Sequence, residues 1–152
     1  MPRLAASSTY RRARSFWGNE ANFILYVDDD WRRRHLVRRE LLKDDIAVAL
    51  GRDSADLKRH VHSSFHPGVG TTPFDAVVTR RFRGTDDVVE ATLTVREALW
   101  HIPVFWMVDR IREEDLDVAR WLDVTLVPEP MTAEEWSILL RETLRGERAA
   151  AQ

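Results

Sequence analysis

Along this chain, short continuous apolar runs alternate with longer stretches whose apolar residues recur at helical spacing. Phe23–Val27 is a strand-length apolar run that ends in three aspartates. Trp31–Lys43 then reads as a helix, with Leu36, Leu41 and Leu42 near one face and arginines on the other. Ile46–Leu50 predicts a second strand. Ser54–Phe65 predicts a second helix, capped by Asp53 or Ser54 and stopped before Pro67 and Gly68. Phe74–Thr79 and Asp86–Trp100 predict the third strand and helix. Pro103–Val108 is the fourth strand and the most apolar run, followed by a helix over Glu113–Leu122. Val124–Val127 and Thr132–Leu144 complete the series, and Thr132 with Glu135 forms a capping box.

Strands alternating with helices in this way predict right-handed βαβ units around a parallel sheet. Strands buried on both faces carry unbroken apolar runs, as these do. With five strands, the expected architecture is an α/β, flavodoxin-like, doubly wound parallel sheet in the order 2-1-3-4-5. Its functional crevice lies beyond the carboxyl ends of the strands.

The 152 residues suit one domain, and neither an internal repeat nor a low-complexity linker divides them. Residues 1–19, with Arg3, Arg11, Arg12 and Arg14 and few apolar anchors, are expected to form a flexible basic arm. A short ordered piece is expected around Phe16 and Trp17, and the arm reads either as a disordered leader or as a tether for an acidic partner or a phosphate backbone. The domain is expected over residues 20–146, with a frayed tail over 147–152. Hydrophobic residues at 44% and charged residues at 32% are an ordinary globular composition. The net charge of −2 argues against a dedicated nucleic-acid binder. The absence of cysteine excludes disulfides, thiolate metal sites and cysteine nucleophiles. Apolar runs such as Ile102–Val108 are too short to span a bilayer, and no signal peptide opens the sequence, so a cytoplasmic location is expected.

Asp28, Asp29 and Asp30 at the end of the first strand are oxygen donors of the kind Mg²⁺ prefers, although adjacent acids also occur in solvated loops. His62 and His66 have the i, i+4 spacing of a metal pair, but His35, His60 and His101 supply no evident third ligand. Gly68-Val-Gly70 precedes a strand, so it is not a nucleotide-binding fingerprint. No serine–histidine–aspartate arrangement has a supporting motif. Arg32, Arg33, Arg34, Arg38 and Arg39 make the first helix either an anion- or partner-docking face or a solvated one.

Ile24-Leu-Tyr-Val-Asp-Asp-Asp30 resembles the opening of a response-regulator receiver domain of the CheY-like family, in which an apolar strand ends in an acidic pair that holds Mg²⁺. Phe74-Asp-Ala-Val-Val-Thr-Arg80, Ile102-Pro-Val-Phe-Trp-Met-Val108 and Val124-Thr-Leu-Val-Pro-Glu-Pro130 resemble the family's third, fourth and fifth strands. The resemblance spans Phe23 to Leu144 and implies the same fold.

The departures change the implied function. Arg80 stands where the family keeps its phosphoacceptor aspartate, and a slip of one residue brings Thr79 there instead. A guanidinium stays protonated and cannot accept a phosphoryl group. Val108 replaces the family's Ser or Thr, Glu129 its lysine, and Leu126 its aromatic switch residue. The resemblance thus implies an atypical pseudo-receiver whose degenerate phosphorylation pocket comprises Asp28, Asp29, Arg80, Val108 and Glu129. It would have no catalytic residues and no cofactor, with at most weak Mg²⁺ binding through Asp28 and Asp29. Arg80 is expected to bridge Asp28 or Asp29 to Glu129, its charge standing in for the cation. If partly buried, that network would cost about 3–5 kcal/mol to break.

With no phosphoryl switch, the output would be contact with an unidentified protein partner in signal transduction. The tryptophans Trp31, Trp121 and Trp136 fall on or beside helices, whereas Trp100 and Trp106 suit the core. Trp121, Leu126 and Trp136 mark the helix 4–strand 5–helix 5 face through which receivers commonly pair, making a homodimer there one expectation. Two other readings stay open. The amino-terminal wing domain of PLP-dependent ornithine/lysine/arginine decarboxylases has this fold and a similar Ile-Pro-Val-Phe strand followed by Asp-Arg, here Ile102–Phe105 and Asp109-Arg110. The third is a metal-dependent phosphoacceptor using Asp28–Asp30.

Overall fold

The computed structural model describes residues 22–64, 74–81, 87–99 and 101–151. Its elements are β1 (Asn22–Val27), α1 (Trp31–Leu42), β2 (Ile46–Gly51), α2 (Ser54–Ser64), β3 (Ala76–Arg80), α3 (Val88–Leu99), β4 (Val104–Val108), α4 (Glu113–Leu122), β5 (Thr125–Pro128) and α5 (Ala133–Ala151). The strands form one parallel sheet in the order β2-β1-β3-β4-β5, as the sequence predicts. The basic arm, Phe65, His66, the Gly68–Gly70 segment and Trp100 lie outside the described residues.

Alternate residues of each central strand feed two apolar layers. Leu25, Val27, Val77, Val104, Trp106 and Val108 point to one side, where residues of α2, α3 and α4 cover them. Ile24, Tyr26, Val78, Phe105 and Met107 point to the other, beneath α1 and α5. The indole of Trp106 satisfies its N–H inside the first layer by donating to Thr92 Oγ1 at 3.0 Å. In the second layer Trp136 is wholly buried, with edge-to-face contacts to Tyr26 and Phe105. This corrects its assignment to an exposed interaction face: α5 turns this ring inward, onto Tyr26 of β1 and Phe105 of β4, on either side of β3.

Local chemistry sets the helix boundaries. Asp30 caps α1 by accepting from the backbone N–H groups of Arg32 and Arg33 at 3.0 and 3.2 Å. Asp53 caps α2 through the N–H of Asp56. Thr132 and Glu135 form the reciprocal pair expected at α5. Where a frayed tail is expected, α5 continues to Ala151. Residues 147–151 read Glu-Arg-Ala-Ala-Ala, a run of strong helix formers, and Gly146 alone does not stop it.

Candidate functional site

Val27, Arg80, Val108 and Pro128 end their strands on the same edge of the sheet, which brings Asp28, Asp29 and Glu129 together beside Arg80. The three aspartates have three different environments. Asp28 is wholly buried. Its Oδ1 accepts from Arg33 Nη2 at 3.0 Å and from the Asp30 N–H at 3.1 Å. Its Oδ2 accepts from Arg33 Nε and, at 3.0 Å, from the Tyr26 hydroxyl. Arg34 Nη1 donates to the Asp28 carbonyl at 2.7 Å. Asp29 is exposed and accepts from Arg80 Nη1 at 2.6 Å. Asp30 is the helix cap.

Arg80 therefore spans two carboxylates: Asp29 through Nη1, and Glu129 through Nε, which lies 3.1 Å from Oε1. It does not reach Asp28, whose partner is Arg33. The expected cost of breaking the Arg80 network needs correction. Asp29 is well exposed, and solvent screens that pair to about 0–1 kcal/mol. The expensive pair to break is Asp28–Arg33, where one carboxylate is fully desolvated.

A third pair completes the edge. Arg81 Nε donates to Asp115 Oδ1 at 3.3 Å, with the Asp115 carboxylate buried in the first turn of α4. The guanidinium of Arg81 also lies over the Trp106 ring, 5.4 Å from its centroid. Val108 is fully buried and offers no hydroxyl to the site. Thr79 is buried too, its hydroxyl donating to the Arg80 carbonyl at 3.2 Å. Leu126 is partly buried against the layer containing Trp106. Trp121 is 69% exposed.

The charges respond to this arrangement. Burial pushes the Asp28 carboxyl upward. Hydrogen bonds from Arg33 and the Asp30 backbone, with the Arg33 charge, outweigh burial and hold it below the ordinary carboxylate value. Burial also drives the Tyr26 phenol far up, and the neighbouring Asp28 charge adds to the effect. The hydrogen bond to Asp28 raises Arg33 further above its usual range. Burial works against the charge on Arg80, but its bond to Asp29 and the nearby Glu129 prevail and raise it.

These donors do not fit Mg²⁺. That ion needs near-octahedral oxygen ligation at about 2.0–2.1 Å. Both oxygens of Asp28 are already bonded to donors, and two guanidinium groups stand beside Asp28 and Asp29. Among the described residues, no three acidic or histidine side chains converge as a metal site. His60 instead turns inward, its Nε2 3.0 Å from the Leu50 carbonyl, while His62 is exposed.

Sequence reasoning finds Arg80, Asp29 and Glu129 by counting along strands. It misses Arg33, Tyr26, Arg81 and Asp115. One signal does point to Arg33: α1 opens with arginines and no acid in its first turn, against the helix dipole. Such a start is favourable only with carboxylates close by, and Asp28 and Asp30 are those carboxylates.

No family model matches this chain, and no curated protein matches it in sequence. Solved structures do match in fold. A receiver domain protein (CheY-like) from Methanospirillum hungatei superposes with a TM-score of 0.72 at 11% identity, covering 86% of this chain and 98% of that one. A response regulator receiver protein from Sinorhizobium medicae gives 0.67 at 20% identity, covering 84% and 98%. The non-phosphorylated HemR receiver domain from Leptospira biflexa gives 0.65 at 16%, covering 81% and 94%. The described residues contain no helix long and apolar enough to cross a membrane. The chain has the flavodoxin-like fold of response-regulator receiver domains, with arginines paired to the carboxylates along its site edge.

Proposed function

We propose that this chain is a non-phosphorylated, receiver-like regulatory module that takes part in signal transduction through protein contacts and performs no catalysis. The observation that carries this proposal is Arg80 at the tip of β3, joined to Asp29 on one side and Glu129 on the other. A guanidinium at this position is no phosphoryl acceptor, and it supplies locally the positive charge that a divalent cation would bring. The ion pair of Asp28 with Arg33 supports the same conclusion, because it occupies the carboxylate most deeply set in the edge. The buried side chain of Val108 leaves β4 without a hydroxyl to bind a phosphoryl oxygen.

A ligand shifts a conformational equilibrium only by its differential affinity for the two states. Without a phosphoryl group, the protein sits in one state, or is switched by a binding partner or by its abundance. The fold likeness to receivers supports a role in two-component-like regulation.

The test is incubation with acetyl phosphate and Mg²⁺, followed by intact-mass measurement. The expected result is an unchanged mass. A gain of one phosphoryl group, mapped to any residue of the β1, β3 or β4 tips, would overturn the proposal.

A further inference from the structure

The large hydrophobic side chains that remain exposed are not scattered. Among the described residues they are Trp31, Leu36, Leu42, Ile111, Leu116, Trp121 and Ile138. The first three lie on α1 and the next three on or just before α4. Exposed apolar residues gathered on one surface and rimmed by charge mark contact sites.

The two surfaces have opposite charge. On α1 and its C-cap residue Lys43, a rotation of about 100° per residue places Arg38, Trp31, Leu42, His35, Arg39, Arg32, Lys43 and Leu36 along one arc. All are exposed. The indole of Trp31 is held by the guanidinium of Arg32 at 5.4 Å and by the His35 ring at 6.2 Å. On α4 the same rotation places Leu116, Arg120, Glu113, Asp117 and Trp121 along one arc, again exposed. Its centre is acidic, and a leucine and a tryptophan flank it. The residues of opposite sign are Arg120 near the end of α4, Arg110 and Arg112 beside Ile111 at its start, where Arg112 is paired to Asp109, and Glu40 of α1, which is bonded to Lys43.

These surfaces cannot meet within one molecule. α1 packs on the layer containing Tyr26, against β2 and α5, whereas α4 packs on the opposite layer, against β5 and α3. We infer that the basic, tryptophan-bearing face of α1 docks on the acidic, tryptophan-bearing face of α4 of a second copy of this chain. The contact is heterologous, so a pair keeps a free α4 face on one copy and a free α1 face on the other, and the association continues head to tail. It differs from the two-fold pairing expected through the helix 4–strand 5–helix 5 face, where Trp136 is buried. The inference rests on the proposal that the output of this fold is protein contact, and it names one partner.

Sedimentation velocity on the full chain, over a concentration series at about 20 mM and about 500 mM salt, reads the association on either side of strong screening. The expected result is concentration-dependent growth beyond a dimer at low salt that weakens at high salt. Arg38→Glu with Arg39→Glu, and separately Glu113→Lys with Asp117→Lys, should each weaken it about tenfold or more. Mixing the two variants should restore one contact and give a 1:1 pair, because the intact α1 face of one variant meets the intact α4 face of the other. Restoration also shows that both variants are folded. Trp121→Ser should weaken the association without altering its salt dependence. The inference is overturned by a wild type that stays monomeric at both salts, by variants that associate alone as the wild type does, or by a mixture that stays monomeric. None of these results changes the mass measurement that tests the absence of phosphorylation, so the two claims fail separately.

Discussion

Arg33 meets Asp28 at the base of α1, where the carboxylate is wholly out of solvent and the guanidinium is mostly so. Replacing one member of such a pair leaves the other as an uncompensated buried charge, at a cost of about 3–5 kcal/mol. Arg33→Met is therefore expected to lower unfolding free energy by about that much in urea denaturation. The pH dependence follows from the sign of the Asp28 shift. Because the native carboxyl sits below its ordinary value of 3.8, its stabilisation is complete above that value and is lost as pH falls through the lower native one. Asp28→Asn should flatten this acid limb, and unchanged stability in either variant would remove Asp28–Arg33 from the account. Arg80 was legible in the sequence because a β-strand advances by a fixed register, so counting from Asp75 suffices. Arg33 was not, because its contact depends on the angle at which α1 leaves β1. Long side chains on a helix point back toward its N-terminus, and here that direction leads to Asp28.

Arg96 sets how α3 and α4 sit on the sheet. Its Nη1 donates to the Ile102 carbonyl at 2.7 Å, its Nε to Leu122 at 2.8 Å and its Nη2 to Asp123 at 2.6 Å. One side chain thus ties the entry to β4 and the end of α4, where Asp123 adopts a left-handed conformation at φ 56°. Hydrogen bonds to a charged group contribute about 1.5–3 kcal/mol and do not add fully. Arg96→Met should cost about 2–3 kcal/mol in the same denaturation assay, and Arg96→Lys should recover less than half, since an ammonium lacks the planar fork. Full recovery by lysine would show that charge alone matters. Element types and order were legible from apolar periodicity. The end of α5 was not, because a glycine followed by a short polar and alanine-rich run reads equally well as a tail or as a last helical turn.

The whole molecule is a parallel sheet covered on both faces, because β1, β3 and β4 are apolar runs too continuous for a half-exposed sheet. That architecture carries the carboxyl termini of β1, β3 and β5 to one edge whatever residues stand there. In this chain these edge carboxylates are matched by arginines: Asp28 by Arg33, Asp29 and Glu129 by Arg80, and Asp115 by Arg81. The fold shared with receivers was legible in the sequence, whereas the pairing pattern was legible only in part, because side chains from α1 and α4 complete it. The most direct measurement is thermal unfolding with increasing MgCl₂ against NaCl at equal ionic strength. A cation that binds the native state stabilises it by RT ln(1 + [L]/Kd), about 2.7 kcal/mol at a hundredfold excess over Kd. With the edge held by guanidinium groups, the expected Tm is the same in both salts. A saturable rise in Tm specific to Mg²⁺, abolished by Asp28→Asn or Asp29→Asn, would contradict it.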